Sequence, residues 1–381
     1  MRRPFEVINF QTLQETVITG AQDYFAHLLE SVQQATATID FEVYIFEPDA
    51  IGQALAAALI AARQRGVHVR LLVDGVGSAF LPPDFLHNLH RHGVQTRVYH
   101  PLPWLFWQWR YARVVGSWLE RCGHAFTRLN RRNHRKVCII DQTIAYVGSF
   151  NVSQVHFART QGGAGWHDSG VRIQGLDLSQ LSEAFQRAWV SPLQWPLSTF
   201  KRYPYYFRLN NTLRRRRFFR YDLRLRIRQA QRRIWITNAY FIPSGSLLRA
   251  LVQASERGVD VRILLPRESD VFFMPWASAL FYRDLIRSGV RIFEYLPSVL
   301  HQKTLILDDW VTLGSSNLNQ RSVLHDLEVD VVLQHSHSKT RIEHLFLADL
   351  EQSEEMPLTD AIQPWYRYLI GRLTLFFRYW L

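Results

Sequence analysis

The chain has 381 residues, of which 47% are hydrophobic, enough to bury a core in two domains or one large one. Its two cysteines, Cys122 and Cys138, are too few for a disulfide framework and stand in no zinc-ligand spacing, so a reducing compartment is the simpler reading. The formal charge of +12 is unevenly placed: residues 101–136 carry eight basic residues and one acidic, and residues 201–233 carry thirteen and one. The remainder of the chain is therefore net acidic. Local basic stretches of this kind suit an anionic partner such as nucleic acid or acidic lipid, the bland alternative being a solvated face.

In chain order, the N-terminus lacks the apolar run of a signal peptide. Tyr24, Leu28, Val32 and Ala35 then recur at helical spacing, and the apolar run Ile39 to Phe46 reads as a buried strand. A second helix is expected over Ala54 to Arg65, stopped by Gly66. A strand over Val67 to Asp74, a helix from about Asp84 to His92 ended by Gly93, and a strand to Tyr99 follow. Strands alternating with helices of this length indicate an α/β layer structure.

This order repeats. RGVHVRLLVD at 65–74 returns as RGVDVRILLP at 257–266, and FLHNLHRHGVQTRVYHP at 85–101 returns as FYRDLIRSGVRIFEYLP at 281–297. One α/β unit has been used twice. The copies differ after the equivalent Pro101 and Pro297: the first carries an insertion at 102–133, rich in arginine and containing Trp104, Trp107, Trp109 and Trp118. Between the copies, residues 196–220 read as a basic, aromatic linker crossing the surface. The end of the chain, residues 351–381, is interrupted by Arg367, Arg372 and Arg378 and reads as an amphipathic tail, either in a headgroup region or packed on the domain. No stretch of 18 uncharged apolar residues occurs, so the chain is not expected to span a membrane.

Each copy also carries the same polar motif. His134, Lys136 and Asp141 match His301, Lys303 and Asp308, and each set is followed by Gly-Ser-x-Asn, with Asn151 and Asn317 as the last residues. The chain has four lysines, Lys136, Lys201, Lys303 and Lys339, among 45 basic residues, and two of the four lie in these motifs. Where arginine is otherwise the rule, a compact point charge has been kept, and lysine is a usual phosphate binder of that kind. Short apolar strands, VCII and TLIL, deliver the motifs, so the two histidines can meet across the interface between the halves.

Paired histidines, lysines and asparagines, without a carboxylate or Cys/His cluster for metal, describe a phosphodiester site. Lysine and asparagine donors can hold the non-bridging oxygens, one imidazole can attack phosphorus, and the other can protonate the leaving oxygen. A phosphohistidine intermediate follows from that scheme. An imidazole so used needs a carboxylate to fix its tautomer, and each half has a candidate: Asp168 and Glu328, 34 and 27 residues beyond their histidines. Asp141 and Asp308 complete the candidate set, although a structural role at the strand-to-turn junction outweighs a catalytic one for them.

The paired HxKxxxxD motifs followed by GSxN resemble the phospholipase D superfamily over nearly the whole chain. Within it, AYFIP, RGVDVRILLP, EYLP, LHQK and GSSNLNQRS are similar to bacterial cardiolipin synthases of the short type without N-terminal transmembrane helices. The resemblance implies two pseudo-symmetric phospholipase D-like α/β/α halves, each a mixed sheet flanked by helices, with the active site at their interface. It bounds them as 1–195 and 221–350. It also implies transfer of a phosphatidyl group from phosphatidylglycerol to a second phospholipid, with His134 as nucleophile and His301 as acid and base. No cofactor or metal is implied, and the setting is peripheral, on the cytoplasmic face of the bacterial inner membrane. Anionic phospholipids are then the expected partners and nucleic acid is not, though a phosphodiesterase or nuclease of the same superfamily is the alternative. The sequence departs from the family at the Trp/Arg-rich insertion and at Asn319, where aspartate is expected.

Overall fold

The computed structural model describes residues 10–112, 130–190, 206–359 and 364–376. Trp118, Cys122, Arg378 and residues 196–205 lie outside the described residues. Contacts divide the chain into two units: residues 1–154 with 170–209, and residues 155–169 with 210–381. The segment 155–169, which follows the first motif in sequence, therefore folds with the second unit rather than within a first half running to 195.

In the first unit the elements are β1 (Gln14–Ile18), α1 (Ala21–Gln34), β2 (Thr38–Val43), α2 (Ala50–Gln64), β3 (His68–Asp74), α3 (Pro83–Arg91), β4 (Gln95–Tyr99), β5 (Val137–Ile140), β6 (Ile144–Gly148), β7 (Gly170–Gln174) and α4 (Ser179–Trp189). They build a seven-stranded sheet of order β1-β7-β6-β5-β2-β3-β4. β2, β3 and β4 run parallel, as helical crossovers require, while β5, β6 and β7 form an antiparallel meander. Helix α2 starts four residues before the sequence-based expectation. Asp49 caps it by accepting from Gly52 N at 3.0 Å, and Gly52 must be glycine because a Cβ would sit 1.8 Å from the Glu47 carbonyl oxygen.

The second sheet comprises β8 (Phe207–Leu209), β9 (Arg233–Thr237), β10 (Asp260–Pro266), β11 (Arg291–Tyr295), β12 (Thr304–Leu307), β13 (Trp310–Gly314), β14 (Val329–Val332) and β15 (Ser353–Glu355). Its order is β15-β11-β10-β9-β12-β13-β14-β8. The six strands β14-β13-β12-β9-β10-β11 repeat β7-β6-β5-β2-β3-β4 one for one, and β8 stands where β1 stands in the first. The helices are α5 (Leu213–Gln229), α6 (Gly245–Glu256), α7 (Met274–Ala279), α8 (Tyr282–Arg287), α9 (Gln320–Leu324), α10 (Ser336–Glu351) and α11 (Trp365–Phe376). Ile234, Ile236, Leu251, Ile263, Leu285 and Ile292 bring strands and helices into one core.

Two segments read otherwise from sequence take part in this repeat. The expected linker 196–220 contains β8 and the start of α5, which Thr212 caps by accepting from Arg215 N at 3.2 Å. Arginine is a good helix former, so the run Arg214 to Arg217 propagates a helix that buries only Arg216 and Ile227. The expected tail 351–381 contains β15, which pairs antiparallel with β11, and α11, which packs against α7 through the buried Gly371 and Thr374.

Gly314 shows why a glycine opens the second Gly-Ser-x-Asn: a Cβ there would meet Val329 O at 2.3 Å and Asp330 Oδ1 at 2.4 Å on the neighbouring strand. Gly314→Ala is expected to cost about 1–3 kcal/mol by forcing β13 and β14 apart, read as a lower urea midpoint with unchanged slope. An unchanged midpoint would show that the strand spacing yields freely.

Candidate functional site

The first motif is held by buried acids from the ends of β2 and β3. Asp74 accepts from Asn133 N at 2.8 Å and pairs with Arg132, while Glu42 accepts from Asn133 Nδ2 at 2.8 Å and from Arg135 Nη1 at 3.1 Å. These bonds fix the residues on both sides of His134, and the His134 ring lies edge-on to Tyr44 with centroids 4.9 Å apart. Lys136, also buried, donates from Nζ to the His134 carbonyl at 2.7 Å and lies 5.3 Å from the Tyr44 ring centre. Asn151 Oδ1 accepts from Ile45 N at 3.2 Å, tying the motif's last residue to the end of β2.

The second motif repeats part of this arrangement. Lys303 donates to the His301 carbonyl as Lys136 does to that of His134. Asp168 sits here, in the second unit, so it serves the histidine of the second motif. His301 Nδ1 donates to Asp168 Oδ1 at 2.7 Å, and a second histidine, His156, donates from Nδ1 to Asp168 Oδ2, also at 2.7 Å. Trp166 packs beside both rings, 5.5 Å from His301 and 5.7 Å from His156. The main chain places this segment: His167 N donates to Val299 O at 2.9 Å, and His301 N and Gln302 N donate to His167 O at 2.8 and 2.9 Å. Buried Asp349 braces it, accepting from His167 Nε2 and from Gln302 Nε2.

The other candidates occupy different positions. Glu328, buried at the start of β14, accepts from Ser315 Oγ at 2.6 Å. Asn317 is buried, and its Oδ1 has no hydrogen-bond partner among the described residues. Asp141 and Asp308 stand at the far ends of the motif strands with φ of 50° and 51°. Asp141 accepts from Thr36 N, Ala37 N and Thr38 N, and Asp308 from Gln231 N, Arg232 N and Arg233 N. Each ties the turn that leads into the neighbouring strand. Nothing in the sequence marks His156: the site histidines stand out by duplication, and the place equivalent to His156 after Asn317 holds Ser322.

Burial works on every charge in this cluster. It would push the Asp168 carboxyl up, but the two imidazoles overcome it and hold the group well below the ordinary carboxylate range. Burial, helped by the Lys303 charge, lowers the His301 pKa, with Asp168 opposing. Burial also lowers Lys303 to about 8, against the charges of Asp168, Asp270 and Glu328. With Nδ1 committed to Asp168, His301 has its Nε2 left for chemistry. Among the described residues no group of three His, Cys, Asp or Glu side chains is placed to hold a metal ion.

The inserted segment begins in the first unit as a short 3-10 turn, Phe106–Tyr111. It is pinned by buried Gln108, which accepts from Leu102 N at 2.9 Å and donates to Gly75 O at 2.8 Å. Trp109 spends its indole N–H on Leu102 O at 3.0 Å, whereas Trp104 is 62% and Phe106 82% exposed.

A duplicated mixed sheet that twice delivers a buried His-x-Lys pair is the construction of a phospholipase D-like protein. The family model described as "Cardiolipin synthase, PLD-like domain" matches residues 28–189 and 223–350. The cardiolipin synthase of Halalkalibacterium halodurans is 30% identical over 366 residues, 92% of this chain and 68% of that protein. Cardiolipin synthase B of Escherichia coli K12 is 31% identical over 362 residues, 90% of this chain and 82% of that protein. Among solved structures, phosphatidylserine synthase of Haemophilus influenzae Rd KW20 superposes with a TM-score of 0.65 at 13% identity, covering 99% of this chain and 95% of that one. A polyphosphate kinase from Porphyromonas gingivalis gives 0.61 at 13% identity, over 94% and 55%. These two show the fold alone. The chain belongs to the phospholipase D-like cardiolipin synthase family.

His156 is expected to position Asp168. His156→Ala, which leaves buried Asp168 one donor short, should lower kcat on the order of tenfold, while His156→Asn, which keeps a donor, should recover most of the rate. Equal rates for wild type and His156→Ala at the same thermal midpoint would show that the second imidazole does not touch the reaction.

Proposed function

We propose that this chain is a phosphatidyltransferase that makes cardiolipin from phosphatidylglycerol and a second phospholipid. The observation that carries the reading is the buried Asp168–His301 pair beside Lys303, in a chain whose family model is that of cardiolipin synthase. In the reaction, His134 Nε2 attacks the phosphorus of phosphatidylglycerol. The glycerol oxygen leaves with a proton from His301, giving a phosphatidyl-histidine. The hydroxyl of the second lipid then gives its proton to His301 and attacks phosphorus, releasing His134. Asp168 stabilises the imidazolium form of His301, and the arriving phosphodiester anion adds to that stabilisation. Lys136, Lys303, Asn151 and Asn317 hold the non-bridging oxygens, and Glu328 is the second orienting carboxylate.

The setting we propose is peripheral, on the cytoplasmic face of the inner membrane, with anionic phospholipid as substrate. Among the described residues no helix is long and apolar enough to cross a membrane. Helix α11 supports an interfacial position instead: Trp365 is 76% and Phe376 81% exposed, with Arg367 and Arg372 on the same short helix. Exposed Trp104 and Phe106 add aromatic surface at the start of the insertion. Water reaching the phosphohistidine would give phosphatidic acid, so a site pressed against lipid favours transfer.

Purified protein with labelled phosphatidylglycerol vesicles should release glycerol and form cardiolipin, with activity largely intact in EDTA. Either His134→Ala or His301→Ala should reduce turnover by about a thousandfold or more. Formation of phosphatidic acid alone would make the chain a hydrolase, and loss in EDTA with rescue by one divalent ion would overturn the metal-free scheme. An acid-labile phosphoenzyme formed by His134→Ala and not by His301→Ala would reverse the two roles. Replacing Trp104 and Phe106 with Ala should weaken vesicle flotation and raise the share of phosphatidic acid.

The pH dependence follows from Lys303. Its pKa of about 8 means that the free enzyme loses this charge as pH rises through that value, so kcat/KM should fall on the alkaline side there. Lys303→Arg, which stays charged, should lose that limb while lowering the overall rate. A limb that persists in this variant would assign it to another group.

A further inference from the structure

We propose a second anion site in the second unit, for the phosphate of a phospholipid headgroup, in a cavity between α5, α6 and the loop that follows Asn317. The lipid source of the phosphate rests on the phosphatidyltransferase reading; the anion site itself does not. The cavity has a volume of about 460 Å³, within the usual range for a small-molecule site. No residue lining it is acidic. Arg217, Arg220 and Arg224 line one wall from a single face of α5, three and four residues apart.

Like charges at these spacings repel and weaken a helix, so their neutralisation decides what the wall is for. Elsewhere in this unit arginines meet carboxylates: Arg226 pairs with Asp222, Arg233 with Glu343 and Arg291 with Glu355. Arg217 and Arg220 have no carboxylate partner among the described residues, and Arg224 Nε donates only to the Arg220 carbonyl, at 3.2 Å. Arg217 and Arg220 are exposed, so water or an anion from outside the fold meets their charge.

Asn319 completes the argument. Its Oδ1 caps α9 by accepting from Ser322 N at 2.9 Å, a task aspartate performs equally well. An aspartate at this place would put a carboxylate into the cavity lining. The amide keeps the cap and removes that charge. Leu223, Leu247, Leu318 and Val323 also line it, with the hydroxyl-bearing Ser244 and Ser246. A lining that combines three arginines with apolar side chains fits a phosphate carried on a glyceride better than a bare anion. Leu318 follows Asn317 directly, so a lipid held here would lie next to the second motif in sequence, as an acceptor would.

The test compares wild type with Arg217→Gln/Arg220→Gln and with Asn319→Asp, checked for equal thermal midpoints. Arg228→Gln, one turn beyond Arg224 on the same face of α5 and outside the cavity lining, controls for net charge. Flotation is measured on phosphatidylglycerol and on phosphatidylcholine vesicles at one salt concentration, and inorganic phosphate is titrated by calorimetry. The expected result is roughly tenfold weaker binding to phosphatidylglycerol vesicles for the double variant and several-fold weaker for Asn319→Asp, with Arg228→Gln near wild type. In turnover the same variants should raise KM for phosphatidylglycerol with kcat nearly unchanged. Variant-sensitive vesicle binding by a chain that transfers no phosphatidyl group would keep the site and sink the enzymatic reading. Equal vesicle binding by all four proteins would overturn the proposal. Phosphate binding that the variants abolish, with vesicle binding untouched, would overturn its lipid source.

Discussion

The carboxylate of Asp168 is the constraint on which the second unit's site depends. A lone ionised carboxylate in a protein interior costs several kcal/mol, and it persists only where donors replace the lost water. Here each oxygen accepts from one imidazole, at 2.7 Å in both cases. The same event does three things. It anchors the segment 155–169 to the second unit, fixes the tautomer of His301 and aligns the His301 ring. The backbone bonds of His167 to Val299, His301 and Gln302 hold the segment in register, so the side-chain pair need not supply the positioning alone.

Duplication explains the sheets better than it explains the sites. Both copies end their motif strand on an aspartate with positive φ, which a short polar residue tolerates better than most. In both, that aspartate gathers three backbone N–H groups from the turn entering the adjacent strand, so its pairing geometry is set by the fold and is the same twice. The surroundings of the histidines are not duplicated. Asn133, His134 and Arg135 are clamped through Asp74 and Glu42, whereas His301 is held through Asp168 and its second partner His156. Natural sequences depart from their own pattern where chemistry asks for it, and the departures here cluster around the histidines.

Most of the fold was legible because it is written in periodicity and repetition. The strand at Val67 to Asp74, the helix after Asp84 and their copies at 257–266 and 281–295 appear where the alternation of apolar residues puts them. What was not legible lacks those signals. Helix α5 buries only Arg216 and Ile227, so it has no apolar stripe to read, and its arginines suggested a linker. The destination of Asp168 depends on residues 155–169 leaving one unit for the other, and no local pattern encodes such a crossing. His156 was invisible for a related reason: its partner stands twelve residues away and its copy is Ser322. The role of Asp141 and Asp308 was readable in kind, since aspartate favours turns, but their six backbone donors were not.

The retention of lysine at two places in an arginine-rich chain has a physical reason in the structure. A buried guanidinium carries five donors in a fixed fork and must satisfy them together. Arg135 shows the difficulty: Nη1 reaches Glu42, while Nε and Nη2 are buried without a partner among the described residues. An ammonium on a flexible stem needs less. Lys136 and Lys303 each give one donor to the carbonyl of their own histidine, and in the reaction we propose Lys303 has two more for an oxygen that arrives with the substrate. Burial makes that arrival matter. At a pKa of about 8 the Lys303 charge is poorly solvated by the protein; in the reaction we propose, an incoming phosphodiester would stabilise it and be stabilised in return, and charge growing on the non-bridging oxygens in the transition state would strengthen the same contact.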